Sequence, residues 1–309
     1  MKFGVHLPLI VWPGRAADPE LVIEVAERAE RAGYSTLCAN DHLVYSQPWL
    51  DGLTALAGVA TRTSTIRLMT TVALPVVRGP FALAKALAAI DLLSHGRLIA
   101  GLGPGSSRAD YALIGVPFDD RWSRFEEATR TMRSLWRPEA DRFVGRFYST
   151  ADVVLEPLPA QAGGPPIWVG SWGSRDGLRR VARLADGWVA SAYNTTPAEY
   201  AVARSLLDEL TADAHRSDTR LPGVLATAWM AITPNRTVAR DLIEGIVAPV
   251  LGRPAEQLRD QLLIGPESLI VDRLSEYAAA GLEHTFIWPV IDEVAQVDRF
   301  AERIMPRLG

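Results

Sequence analysis

Along the chain, short apolar runs suited to buried strands alternate with longer stretches of helical period. Phe3–Leu7 is apolar and ends at Pro8. From Asp18 the period becomes helical: Asp18 can cap, Pro19 takes the first helical position, Leu21, Val22, Val25, Ala26 and Ala29 share a face, and Gly33 stops the element. Thr36–Ala39 predicts a strand, Leu50–Thr63 a helix, and the β-branched run Ile66–Leu74 a buried strand. Pro80–Leu93 is helical and is broken by Ser94-His95-Gly96; Arg97–Gly101 is the fourth strand, and Trp122, Phe125, Thr129, Met132 and Trp136 mark one face of the next helix.

The rhythm then breaks. The segment 138–165 is too long for a simple connection; it holds a hairpin-like piece around Gly145 and a proline-rich return through Glu156-Pro157-Leu158-Pro159. Ile167–Gly170 and Gly187–Ala192 are strands separated by the helical stretch Ser174–Ala185, and Thr196-Pro197-Ala198-Glu199 is a capping box opening another helix. Val224–Ile232 is the seventh strand, about 235–263 reads as one long helical region, and Pro266–Gly281 as a helix. Thr285–Trp288 is the eighth strand, and Asp292–Met305 closes the chain as an amphipathic helix.

Eight strand-then-helix units predict an α/β fold of the (β/α)8 TIM barrel type. The rival is a doubly wound sheet with Gly101-Leu102-Gly103-Pro104-Gly105-Ser106 as a dinucleotide loop. That loop fits poorly, because Ser106 stands where the third glycine belongs, Pro104 stiffens the turn, and the segment follows the fourth strand. The 309 residues therefore read as one barrel domain over 1–309, with inserted segments near 138–165 and 233–265.

Composition narrows the function classes. A net charge of −4 argues against a nucleic-acid partner. A single cysteine allows neither an internal disulfide nor a cysteine-based zinc site. The N-terminus lacks the apolar run of a secretory signal, and no stretch is apolar enough to span a membrane, so a cytoplasmic protein is expected. Among 32 basic residues only Lys2 and Lys85 are lysine, which reads first as base composition.

Barrel chemistry gathers at the C-terminal ends of strands and in the loops that follow. That rule selects His6, Asn40-Asp41-His42, Thr70-Thr71, Gly103–Arg108, Ser171–Ser174, Ser191 and Trp288. A histidine beside a carboxylate can move a proton near neutral pH, so Asp41-His42 is the leading catalytic candidate; a structural tie is its plain alternative. His6 reads as a core histidine bonded to a backbone carbonyl. His95 and His215 read as solvated helix-end residues, and His284 lies at the wrong end of the barrel. Gly170-Ser171-Trp172-Gly173-Ser174 opens a helix, where free backbone N–H groups and small residues suit an anion. With the second glycine-serine loop, Gly103 to Ser106 and Ser107, it points to a phosphate-bearing cofactor. Five scattered histidines make a metal site unexpected.

The chain resembles the bacterial luciferase-like superfamily of flavin- and deazaflavin-dependent oxidoreductases over essentially its whole length. The carriers are Met1–Val5, Asn40-Asp41-His42, Gly101–Gly105 with Tyr111 and Gly115-Val116-Pro117-Phe118, Pro165–Gly170, and Arg183–Trp188. The resemblance implies a TIM barrel with insertions that binds reduced FMN or coenzyme F420 at its C-terminal mouth. It implies that Gly170, Ser171, Trp172, Gly173 and Ser174 hold the cofactor phosphate. It also implies that Thr71-Val72 forms a non-prolyl cis peptide against the ring, with Asp41 nearby. Asp41-His42 matches a pair found in deazaflavin-dependent relatives. Ser107 stands where relatives often carry asparagine, and Arg108 where a glutamate follows. The implied activity is F420-dependent hydride transfer to or from a small organic substrate, with His42 managing the proton and Asp41 steering it. FMN-dependent monooxygenation is the alternative, and a non-catalytic cofactor-binding barrel the reading from another class. A homodimer without membrane or nucleic-acid partners is expected.

Overall fold

A computed structural model describes residues 1–137, 139, 142–214 and 220–309. Its strands are β1 Lys2–His6, β2 Thr36–Ala39, β3 Arg67–Thr70, β4 Leu98–Leu102, β5 Ile167–Gly170, β6 Gly187–Ser191, β7 Gly223–Ile232, β8 Leu263–Gly265 and β9 His284–Pro289. All pairings between these strands are parallel, and eight strands close into a barrel, with β9 between β1 and β7 and β6 paired to β7. This is the (β/α)8 TIM barrel that the alternation predicts. β8 stays outside the ring and extends the far half of β7, where Met230 aligns with Leu263.

Strand alternation sorts side chains between two layers. Phe3, Val5, Leu37 and Leu68 pack outward against Val22, Val25 and other helix residues. Cys38, Met69, Ile99, Val224 and Phe286 fill a separate interior cluster. Gly4 is required there, since a Cβ at that position would lie 2.5 Å from the Phe286 ring.

The local signals work as their chemistry demands. Asp18 accepts from the Leu21 N–H at 3.0 Å and starts helix Pro19–Arg31, while Gly33 takes the left-handed φ of 83° that ends the turn. Thr196 and Glu199 form a reciprocal capping box.

Three boundaries differ from the sequence reading. The third strand stops at Thr70 rather than Leu74, and Pro75–Arg78 is helical; the Thr71–Val72 peptide between them is cis. The region 235–263 is not one helix. Helical chain from Arg236 passes a π-turn at Ile243–Val247 and ends at Leu251, where Gly252 turns left-handed at φ 62°. Ala255–Arg259 and β8 follow; β8 is too short for periodicity to reveal. Predicted helix Leu50–Thr63 is trimmed to Gly52–Ala60, with Asp51 as its cap.

Within 138–165, Val144 and Ser149 form the expected hairpin-like bridge, and Glu127 accepts the N–H groups of Arg146 and Phe147. The return is tied down by Asp91. Its fully buried carboxylate accepts from the Gln161 N–H at 2.9 Å and the Gln161 amide at 2.8 Å. Asp91→Ala should leave these donors unsatisfied and lower unfolding free energy by about 3 kcal/mol. Urea denaturation measures this, and an unchanged midpoint would remove Asp91 from the account.

A second apolar cluster lies on the C-terminal halves of β7 and β9, where Trp12, Trp229 and Trp288 pack with Ile243, Val247 and Leu258. Trp229 and Trp288 are stacked at 4.1 Å. The region after β7 thus covers one side of the barrel mouth. No described helix is long and apolar enough to cross a membrane.

Candidate active site

The ends of β2 to β7 surround a cavity of about 320 Å³ at the C-terminal mouth. Most residues selected from the sequence meet there: Asp41, His42, Thr71, Val72, Gly103, Ser106, Gly170, Ser171, Trp172 and Ser174 all line it. Ser107 and Gly173 stand just outside the wall. Ser107 caps helix Arg108–Leu113 by accepting from the Asp110 N–H at 3.2 Å. Gly173 has a φ of 93° and donates its N–H to Ser171 Oγ at 3.3 Å.

The floor is built by close approach. Val72 reaches Gly103 and Gly170, where added Cβ atoms would lie 2.6 Å and 3.2 Å from its methyl groups. At the fifth strand end, Ser174 accepts from the Gly177 N–H at 3.2 Å and starts helix Arg175–Leu184. Ser171 and Ser174 line the cavity at the start of that helix, a setting suited to an anion.

Asp41 and His42 do not pair. Asp41 is buried and accepts from the Leu74 N–H at 3.1 Å and Arg78 Nε at 3.2 Å. Arg78 also bonds Asp51. Burial disfavours the Arg78 charge, but the hydrogen bonds and charge of Asp41 and Asp51 outweigh it and raise the pKa. The expected steering of His42 by Asp41 is therefore replaced. Asp41 fixes the chain between the third strand end and helix Pro75–Arg78.

His42 is held from elsewhere. Its Nδ1 lies 3.3 Å from Oδ2 of Asp110, a carboxylate only 1% exposed, whose other oxygen accepts the Val44 N–H at 3.1 Å. A carboxylate can only accept, so Nδ1 carries the proton and Nε2 remains for chemistry. The rings of Tyr45 and Trp49 each lie 5.0 Å from the imidazole and hold it further. Sequence reasoning missed Asp110. The available signal was Ser107-Arg108-Ala109-Asp110, a capping pattern in a loop already singled out.

The other histidines sort clearly. His6 is buried, stacks on Trp288 at 4.3 Å, and its Nε2 accepts from the Thr227 N–H at 2.9 Å. It thus accepts from a backbone amide instead of donating to a carbonyl, and Nδ1 carries its proton. Thr227 is displayed by a bulge in β7 with a left-handed φ of 56°, and it lines the cavity beside Ser191. His284 lies at the opposite end of the barrel, 2.7 Å from Ser35 Oγ. His95 is exposed, and His215 lies outside the described residues.

Burial pushes the His6 pKa down to about 3, and burial with the nearby charges of Lys2 and Arg67 does the same for His284. Both remain neutral in the fold while the unfolded chain takes up protons below its ordinary value of 6.5. Their contribution to stability is therefore complete above about pH 6.5 and is lost as pH falls from there toward about 3, at up to ~1.4 kcal/mol per pH unit for each group. Urea midpoints at descending pH should show this slope. The double variant His6→Gln/His284→Gln should lose much of it, and parallel slopes would contradict the assignment.

Arg121 is the cation that lines the cavity among the described residues; its guanidinium lies 4.0 Å over the Phe118 ring. Of the arginines on the helices that follow the two glycine-serine loops, Arg108 stacks over the same ring at 4.4 Å, Arg179 is paired with Asp176 at 2.8 Å, and Arg175 is exposed.

Comparison with known proteins places the chain in a family. The chain is 36% identical over 213 residues to an uncharacterized protein of Mycobacterium tuberculosis, covering 68% of this chain and 72% of the relative. It is 27% identical over 314 residues to an F420-dependent glucose-6-phosphate dehydrogenase of Beutenbergia cavernae, covering 91% and 90%. Its fold matches the monooxygenase RslO1 of Streptomyces bottropensis with a TM-score of 0.85 at 22% identity, over 100% of both chains. It also matches an F420-dependent secondary alcohol dehydrogenase with a TM-score of 0.83 at 17% identity, over 100% and 99%. A model of the luciferase-like monooxygenase family matches residues 1–252, and the chain belongs to that family.

Proposed function

We propose that this protein is an oxidoreductase that uses coenzyme F420 for hydride transfer to or from a small organic substrate. The observation that carries the reading is His42, on the cavity wall and held through Nδ1 by the buried Asp110. Relatives named as F420-dependent dehydrogenases support the choice of cofactor. The cavity fits a flat ring with a phosphate. Val72 between two glycines offers an apolar seat, and Ser171, Ser174 and the start of helix Arg175–Leu184 offer phosphate donors.

The deazaflavin, when bound, supplies the hydride chemistry. The chain supplies the rest. Thr71, Val72 and Gly103 shape one wall, with Ser106, Trp172 and Gly170 around it. His42 Nε2 gives or takes the proton that accompanies hydride transfer, and Asp110 fixes its tautomer. Asp41 acts on the site through the backbone it holds. Ser107 acts through the helix that carries Asp110, and Gly173 through the turn before Ser174.

A second reading, FMN-dependent monooxygenation, is supported by the description of the family. An absorbance assay of F420 with a panel of small alcohols and aldehydes separates the two. The first reading predicts F420 turnover, whereas oxygen consumption with reduced FMN and no reaction of F420 would install the second. The same reading describes one barrel domain with inserted segments near 138–165 and 233–265, working as a cytoplasmic homodimer.

A further inference from the structure

Beside the cavity, arginines and aromatic rings interleave. Arg108 and Arg121 lie over Phe118, Arg180 lies 4.5 Å over Trp122, and Arg124 and Arg146 lie 4.2 Å and 4.9 Å over Phe147. Phe118, Arg121 and Trp122 also line the cavity, so this ledge continues from its wall to the surface. Two of the cations are partly neutralised, Arg180 by Glu126 at 2.9 Å and Arg124 by Asp120 at 3.8 Å. Arg108, Arg121 and Arg146 have no carboxylate partner among the described residues, although Asp119 stands exposed on the adjoining turn.

A guanidinium stacked on a ring keeps its N–H edges free, and the ring limits its rotation. Such a group is preorganised for a carboxylate, and several in succession suit a flexible chain of carboxylates better than a single phosphate. Coenzyme F420 carries a glutamyl chain beyond its phosphate, and FMN has none. Resting on the cofactor reading above, we propose that the ledge of Arg108, Arg121 and Arg146 is the subsite for the carboxylate-rich tail of F420. The ledge then separates F420 from FMN by charge, at a distance from the reacting ring.

Equilibrium titration by cofactor fluorescence tests this without turnover. The probes are long-tailed F420, the tailless form that ends at its phosphate-linked lactyl group, and FMN. They are titrated against the wild type and the variant Arg108→Gln/Arg146→Gln, both at exposed positions without a carboxylate partner among the described residues. At low salt the long-tailed form should bind the wild type about tenfold more tightly than the tailless form, the sum of several modest surface ion pairs. Added salt should shrink that advantage, and the variant should lose it while binding the tailless form with unchanged affinity. Equal affinity for the two F420 forms in the wild type would overturn the proposal, as would a tail advantage retained in the variant. Binding of FMN with no binding of tailless F420 would overturn the cofactor reading and the ledge assignment with it.

Discussion

His42→Ala is expected to lower kcat by about 10²–10⁴-fold, the range for losing a positioned proton-transfer group. Cofactor affinity should stay nearly unchanged, since His42 is one wall residue among many. Steady-state kinetics beside a binding titration reads both effects. Asp110→Asn should cause a smaller loss, seen in kcat with KM nearly unchanged. The buried carboxylate that fixes Nδ1–H would be gone, while the backbone contact at Val44 can persist. A wild-type kcat in Asp110→Asn would leave Asp110 a purely structural role. Full turnover in His42→Ala would take His42 out of the chemistry.

Asp41→Ala is expected to destabilise the fold by about 3 kcal/mol, because it leaves Arg78 half-buried without its main partner. Asp41 has a side chain only 3% exposed, and Arg78 is 20% exposed. Asp51 retains one contact to Arg78 and sets the loss at the lower end of the range for a broken buried pair. The double variant Asp41→Ala/Arg78→Met should recover part of the loss, since no uncompensated charge remains. A denaturation midpoint for Asp41→Ala equal to the wild type would mean that the Asp41–Arg78 pair does not hold this wall.

What the sequence could reveal followed the range over which each signal acts. Asp18 with Pro19, and Thr196 with Glu199, are contained within one helical turn, so residue type alone specifies them. The barrel was legible because eight apolar strands in alternation with helices leave few other arrangements. The rule that chemistry sits at strand ends then placed Asp41, His42, Thr71 and Ser171 around one cavity.

The partnerships were not legible, because they close across loops. Asp41 and His42 are adjacent in sequence, yet their side chains find partners on different elements, Arg78 and Asp110. Asp110 comes from a helix that Ser107 positions, and no local pattern states that this helix meets the loop after β2. Arg121 reaches the cavity from the first turn of helix Arg121–Leu135, and no local pattern states that meeting. β8 is three residues long, and its pairing with the extension of β7 is a tertiary choice.

The measurement that tests the central claim most directly is a parallel equilibrium titration of the wild-type protein with oxidised F420 and with FMN at one salt concentration. The account predicts tighter binding of F420; binding of FMN about tenfold tighter, ~1.4 kcal/mol in its favour, would contradict it.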